Sequence, residues 1–380
     1  MAVHRILYVH RSSSPTYGGA LVDLRNILSR LDRRHCEAVV LLSRGNEPLS
    51  MFRTLGVETT LLGLPALRKG KSLPLLPWAV LRLQRLIRAK HISLVHVNDV
   101  DDAAIVAVAC RLAGIPCVVH VRSEMAPNKF RKLRLQWADR LIAVSRGVRD
   151  QALLAGIAPE RVATVYSGID PERVNANGDG QRIRREYGIA PETIVVGSVA
   201  NIVPVKGYEF LIRAVATARQ TTDDLACLIV GADERGLQVS LQELGDSLGL
   251  RGRLRFAGFQ ETTLPYLDAM DLFMLSSIEE GFGLVLLEAM AGGKPVIATA
   301  ASGPCEIVED GRTGLLVPPR DPDAMAKALV DLLRDPKRRV QMGRAGRERV
   351  RTVFGLDSQM ANLTALYDQL LRERRPIPRG

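Results

Sequence analysis

Short β-rich apolar runs alternate with longer segments of helical period along all 380 residues, and this alternation narrows the fold more than any other feature. Strand candidates in the first half are Arg5–Val9, Glu37–Leu42, Glu58–Leu61, Leu94–Val97, Pro116–Val121, Arg140–Val144 and Val162–Val165. In the second half they are Ile194–Ala200, Ala226–Val230, Leu254–Ala257, Leu272–Leu275, Pro295–Ala298 and Leu315–Val317. Helical pattern fills the intervals, as in Gly19–Leu31, Ala79–Ala89, Ala103–Ala113, Tyr208–Gln220, Val239–Leu248, Gly283–Ala291 and Asp323–Arg334. Such alternation predicts parallel sheets covered by helices on both faces. The length exceeds one ordinary core and suits two. Residues 168–180 (GIDPERVNANGDG) lack apolar period and read as a linker between two halves. The expected architecture is α/β, with doubly wound domains at 1–172 and 181–355 facing across a cleft. Ligands of such sheets bind beyond the carboxyl ends of the strands.

The formal charge of +11 is unevenly placed. Lys and Arg outnumber Asp and Glu by 26 to 15 in residues 1–180, and the two balance at 26 each in 181–380. The asymmetry points either to a polyanionic partner for the first half or to a solvated surface. An aromatic content of 4% and the lack of a reader motif argue against nucleic acid. Two basic amphipathic segments carry much of the excess. In Trp78–Lys90, Arg82, Arg85 and Arg88 recur at helical spacing away from Ala79, Leu83, Leu86 and Ile87. In Lys129–Trp137, basic residues alternate with Phe130, Leu133, Leu135 and Trp137. The second segment is expected to touch an anionic bilayer weakly, with Phe130, Leu133 and Trp137 inserting; the first is expected to bury its apolar face in the protein's own core.

Other classes are disfavoured. The first apolar run, Ile6 to Val9, is too short for a signal peptide, and the best membrane-span candidate, Ala103 to Val119, contains Arg111 and Pro116. Five scattered cysteines without a CxxC fit reduced, buried thiols better than disulfides or a metal site. The expected location is cytoplasmic, peripheral on the inner face of the membrane.

The segment richest in chemistry is Ser276 to Val296, SSIEEGFGLVLLEAMAGGKPV, between a strand and a helix. Gly281, Phe282, Gly283 and Leu284 bring backbone N–H groups to a helix N-terminus, which is an anion site. Glu280 lies before the helix and Glu288 more than a turn into it. Five helical residues rise about 7–8 Å, so the two carboxylates can bracket a diphosphate. Ionised carboxylates also accept paired sugar hydroxyls. The bland reading is that Glu280 favours the helix dipole and Glu288 is solvated.

This string resembles the E-x7-E motif of retaining glycosyltransferases of family 4, which have the GT-B fold of two Rossmann-like domains. The likeness continues through Gly292, Gly293, Pro295, Val296, Gly303, Glu306, Gly311, Gly314, Leu316, Val317 and Pro318. It reaches Gly18, Gly19, Ser145, the Tyr166–Asp170 turn and Lys206–Gly207. The resemblance implies that Glu280 contacts the donor sugar and Glu288 holds the ribose. It also implies that the amphipathic helix Leu356–Leu371 crosses back, so that 356–380 returns to the first domain.

A second anion element is Ala200 to Gly207, ANIVPVKG, where Lys206 can neutralise a diphosphate as a point charge. The family usually adds an arginine a few residues earlier; here Asn201 and Val203 stand instead, and Asn201 can still donate a hydrogen bond. The loops at Gly231–Gly236 and around Gly258 lie near the nucleotide base in the family. In the first half, Gly18 and Gly19 open a helix and permit close approach of a ligand. His120 and Arg122 share one strand face. The family commonly has a histidine near the reacting sugar at this strand end, and either residue can inherit the role. Asp99-Val-Asp101 matches the metal-binding DxD of another glycosyltransferase fold, but these acids precede a helix and favour its dipole. No metal and no cofactor beyond the nucleotide-sugar substrate is expected. The function expected is retaining transfer from a nucleoside diphosphate sugar to a glycan or lipid-linked acceptor in envelope polysaccharide or glycolipid synthesis. A nucleotide-sugar 2-epimerase and a catalytically silent sugar-nucleotide-binding protein are the alternatives.

Overall fold

The computed structural model describes residues 3–11, 18–43, 49–65, 74–174, 179–222 and 224–373. The chain divides into two compact units, Met1–Gly168 with Leu356–Gly380, and Ile169–Gly355. The segment read as a linker begins at that division, but Pro171–Val174 already forms a 3-10 turn of the second unit.

The first unit holds seven parallel strands: β1 (His4–His10), β2 (Cys36–Leu42), β3 (Glu58–Leu61), β4 (Leu94–Val97), β5 (Cys117–Val121), β6 (Arg140–Ala143) and β7 (Val162–Thr164). Their order is β3-β2-β1-β4-β5-β6-β7. Helices α1 (Gly19–Arg30), α2 (Leu49–Thr54), α3 (Leu76–Ala89), α4 (Ala103–Ala113), α5 (Pro127–Lys132) and α6 (Arg146–Leu154) connect them. Central β1 runs Ile6, Leu7, Tyr8, Val9 with every side chain buried, as a strand covered on both faces requires, whereas edge strand β3 is largely exposed. Because β1 pairs with both β2 and β4, the winding reverses between β1 and β4.

The second unit repeats the plan with six strands: β8 (Ile194–Val199), β9 (Leu225–Val230), β10 (Leu254–Phe256), β11 (Leu272–Leu275), β12 (Val296–Thr299) and β13 (Gly314–Val317), in the order β10-β9-β8-β11-β12-β13. Its winding reverses between β8 and β11. The helices are α7 (Gly180–Glu186), α8 (Tyr208–Arg219), α9 (Gln238–Ser247), α10 (Leu264–Ala269), α11 (Leu284–Ala291), α12 (Ser302–Ile307), α13 (Pro322–Arg334) and α14 (Pro336–Val353). Asp321 and Asp335 cap α13 and α14, accepting from Ala324 N and Arg338 N at 2.9 Å each, with proline at the first helical position.

Helix α14 has no amphipathic stripe that would announce it, because few of its residues are apolar. Its arginines finish other helices. Arg339 donates to the carbonyls of Leu332 and Leu333, Arg347 to that of Ala291, and Arg349 to those of Ile307 and Glu306. A guanidinium there satisfies carbonyls that lack intrahelical partners and opposes the dipole. Gly343 lets α14 press on the end of α11, since a Cβ would overlap the Gly293 carbonyl.

The last helix, α15 (Leu356–Glu373), belongs to the first unit. Leu356, Met360, Leu363, Leu366, Tyr367 and Leu370 recur every three or four residues and join Ile6, Tyr8, Leu24 and Val40 in one core.

Two expectations are corrected. Of the residues expected to insert from the Lys129–Trp137 segment, Phe130 and Leu133 are buried, as is Leu135, and only Trp137 is exposed, at 41%. Helix α5 ends at Lys132 with Leu133 as its C-cap, and Arg134, at φ +57°, opens the following 3-10 turn Leu135–Trp137. The exposed apolar face belongs instead to the other basic segment, where Leu75, Trp78 and Leu81 are about half exposed (55%, 53% and 47%). Of the cysteines, Cys36, Cys110, Cys117 and Cys227 are buried, but Cys305 is exposed.

Candidate active site

In the second unit the key side chains gather where the winding reverses. After β8 the chain makes a 3-10 turn, Pro204–Lys206, and enters α8 through Gly207 at φ +61°. A Cβ on Gly207 would overlap the Ser276 carbonyl, so glycine lets this turn press against the loop leaving β11. The two loops are then tied together: Ser276 Oγ donates to Lys206 O at 2.8 Å and Ile278 N to Val205 O at 2.7 Å. Lys206 Nζ thereby meets Glu280 Oε2 at 2.6 Å, and Ser277 Oγ donates to the same oxygen at 3.0 Å. Thr299 Oγ1 supports the Ser277 carbonyl from β12 at 2.5 Å. Lys206 and Glu280 are thus brought together, with the lysine charge answered by the glutamate.

Beyond Glu280 the backbone is shaped for close approach. Gly283 adopts φ +101° as the N-cap of α11, and no side chain caps that helix. Its first N–H groups are therefore open to an anion. Gly281 and Gly283 are buried and Leu284 is half-buried. Phe282 is an anchor: its side chain is buried, edge-on to Phe354 at 6.0 Å, and a Cβ on Gly303 would overlap its backbone. Glu288, half-buried on α11, lies 3.3 Å from Thr263 Oγ1. Gly258 at φ +67° accepts from Gly231 N at 2.9 Å, and Gly231 in turn leaves room for the Ala200 carbonyl beside half-buried Asn201. Ser276, Ser277, Thr263 and Thr299 were not anticipated. The two serines open the motif string itself, but hydroxyls that hold a carboxylate or carbonyl across strands carry no spacing rule.

The carboxyl edge of the first sheet is built differently. Gly18 is the N-cap of α1 and Gly19 its first residue, and a Cβ on either would meet nothing within 4 Å. His120 on β5 is fully buried, with its ring 5.4 Å from that of His96 and no hydrogen-bond partner among the described residues. Burial, then Arg122 and His96, keep it neutral by lowering its pKa far below the usual histidine value. A side chain so enclosed belongs to the core and cannot touch a substrate, which removes it as the candidate at this strand end. His96 is similarly held, its pKa pulled down to about 3 by burial and then by Arg122, with Nδ1 2.6 Å from the Tyr367 hydroxyl. Arg122 lies one residue beyond β5. It pairs with buried Asp23 of α1 and donates to Asn98 Oδ1 at 2.6 Å. Gln359 of α15 completes the cluster, donating to Asp23 Oδ1 at 2.9 Å and accepting from Gly168 N at 2.8 Å.

Two parallel, doubly wound units, with an ion pair and an uncapped helix at the winding reversal of one, define a Rossmann-like class of protein with room for an anionic ligand at a helix start. Comparisons narrow that class. Residues 179–349 match the model for glycosyl transferases group 1, and residues 17–173 match that for Glycosyltransferase Family 4. The chain is 33% identical over 318 residues to the GDP-mannose-dependent alpha-(1-6)-phosphatidylinositol monomannoside mannosyltransferase of Mycolicibacterium smegmatis, covering 79% of this chain and 81% of that one. It is 32% identical to the D-inositol 3-phosphate glycosyltransferase of Salinispora tropica, covering 78% and 68%. A similar match to the D-inositol 3-phosphate glycosyltransferase of Corynebacterium glutamicum spans about half (53%) of that relative. Among solved structures, Anabaena HepE in complex with UDP and glucose superposes with a TM-score of 0.83 at 24% identity, covering 96% of this chain and 99% of the other. The fold is GT-B, and the chain belongs to glycosyltransferase family 4.

Proposed function

We propose that the protein transfers a hexosyl group, with retention of anomeric configuration, from a nucleoside diphosphate sugar to an envelope glycolipid or glycan acceptor. The observation that carries this reading is the Lys206–Glu280 pair beside the uncapped start of α11. A diphosphate bound there would accept hydrogen bonds from the N–H groups following Gly283 and draw on the charge of Lys206. As the anomeric C–O bond breaks, negative charge grows on the departing diphosphate, and these fixed donors stabilise it. Glu280 would accept sugar hydroxyls, and Glu288 the ribose hydroxyls. The relatives named for inositol 3-phosphate and phosphatidylinositol monomannoside support a polar, phosphate-bearing acceptor. The reading needs no metal, so a chelator leaves transfer unchanged. Calorimetry with UDP, GDP, UDP-glucose and GDP-mannose tests it: micromolar binding of one nucleotide and its sugar is expected, and binding of none overturns it.

The first unit would meet an anionic membrane from the cytoplasmic side through α3. Leu75, Trp78 and Leu81 are exposed beside Arg82, Arg85 and Arg88, and Arg82 stacks over Trp78 at 4.5 Å. Among the described residues no helix is long and apolar enough to cross a bilayer, so such contact would be peripheral. Each basic residue contributes about 1 kcal/mol near the surface, so sedimentation with phosphatidylglycerol vesicles should fall with salt and in Trp78→Ser. Equal sedimentation with neutral vesicles rejects it.

A further inference from the structure

We propose that Ser277 positions the Glu280 carboxylate for the sugar of the donor, and keeps it in place when Lys206 turns to the diphosphate. This role rests on the transferase reading above, and it adds the residue through which the site tells a sugar nucleotide from the bare nucleotide. All the groups involved belong to the second unit, at the winding reversal between β8 and β11.

The backbone around Glu280 is tied on both sides. Ile278 N donates to Val205 O at 2.7 Å, Gly303 N to Glu280 O at 3.1 Å, and Thr299 Oγ1 to Ser277 O at 2.5 Å. The carboxylate itself is held through one oxygen. Lys206 Nζ and Ser277 Oγ both donate to Oε2, at 2.6 and 3.0 Å. Oε1 accepts from no protein donor among the described residues, and it is the oxygen left for a sugar hydroxyl. The two donors differ in freedom. Lys206 carries its charge on a flexible four-carbon stem, and its side chain is 23% exposed, so it can swing to an incoming diphosphate. Ser277 is fully buried, its hydroxyl sits on Cβ, and its carbonyl is tied to buried Thr299, so its hydroxyl stays where it is. Nor does this hydroxyl serve the following helix, whose N-cap is Gly283 with no side-chain cap. Once Lys206 turns away, Ser277 is the donor that keeps Oε2 from following the ammonium. Oε1 then still faces the sugar.

Calorimetry on the full-length chain reads this role as a ratio: affinity for UDP-glucose over that for UDP, or for GDP-mannose over that for GDP. The pair that the wild type binds is the one followed. Ser277→Ala should lower the ratio about 10-fold, while affinity for the nucleoside diphosphate stays within about two-fold. Thr299→Val, which loosens the serine without touching the carboxylate, should lower it about three-fold. In a Glu280→Ala background, Ser277→Ala should change the ratio by less than about two-fold, because a hydroxyl that acts through the carboxylate then has nothing to position. A wild-type ratio in Ser277→Ala overturns the proposal. So does an undiminished effect of Ser277→Ala in the Glu280→Ala background, or a loss of nucleoside diphosphate affinity as large as that of the sugar nucleotide; either makes Ser277 a support of the loop alone. Absence of binding of all four nucleotides to the wild type is a different result and defeats the transferase reading instead.

Discussion

The carboxyl edges of the two sheets share one topology and differ in how they are assembled. In the second unit the edge is made of two local strings, 201–207 and 276–288, tied by Ser276, Ser277 and the Lys206–Glu280 pair. In the first it is made of residues far apart in sequence, with Arg122, Asp23, Asn98 and Gln359 closing one network and His10 and Asp99 another contact beside it. Short strings bring backbone N–H groups and carboxylates to a point at little entropic cost. Long-range networks order groups that no local segment could.

If the second edge performs the bond-breaking chemistry, Glu280→Gln should depress turnover about 100- to 1000-fold, with a smaller loss of nucleotide affinity. Steady-state kinetics beside calorimetry separate the two effects, and wild-type turnover would break the contrast at its strongest point. Asp23→Ala tests the other edge. It leaves the Arg122 guanidinium inside the protein without its carboxylate and should destabilise by about 3 kcal/mol. Chemical denaturation measures this, and the loss should fall on the first unit, leaving nucleotide affinity near wild type.

Mild acid sharpens the same contrast, because all six histidines, at 4, 10, 35, 91, 96 and 120, lie in the first unit. His96 and His120 have pKa values lowered by burial, so the native state stays unprotonated where the unfolded chain, near 6.5, takes up protons. Their contribution is complete above pH 6.5 and is lost as pH falls toward about 3, the value for His96. His96 should cost about 1 kcal/mol per pH unit in that window, with His120 acting in the same direction. Calorimetric scans at pH 7 and pH 5 should show the first unit melting earlier at pH 5; coincident shifts of both units would refute the assignment. The smallest effect is expected for Glu288→Gln, about 10-fold in nucleotide affinity with turnover at saturation nearly kept, the loss of one charged hydrogen-bond acceptor. Titration with the bound nucleoside diphosphate reads it.

Each of the thirteen strands was legible within a residue or two, since a buried parallel strand must be a continuous apolar run bounded by breakers. Helix α14 was not legible: its glycines serve packing against α11 and its arginines cap other helices, so it shows little amphipathic period. The same blindness reversed the two basic segments. Alternation of Lys129–Trp137 suggested insertion, but the chain turns at a left-handed Arg134 and Phe130 and Leu135 are buried, while Leu75 at the cap of α3 and Trp78 and Leu81 on it were left outside.

The sequence by itself determined the two parallel sheets, the glycine-led helix start at Gly283, and the placing of Lys206, Glu280 and Glu288 around the strand ends of the second unit, because each depends on residues within a few turns of one another. Tertiary structure alone decided that His120 is core while Arg122 is pinned by Asp23, that Gln359 reaches across from the last helix, and that Asp99 rests on His10 rather than on its own helix. Burial and hydrogen-bond partnership across tens or hundreds of residues are set by which strands lie side by side. No local pattern carries that information.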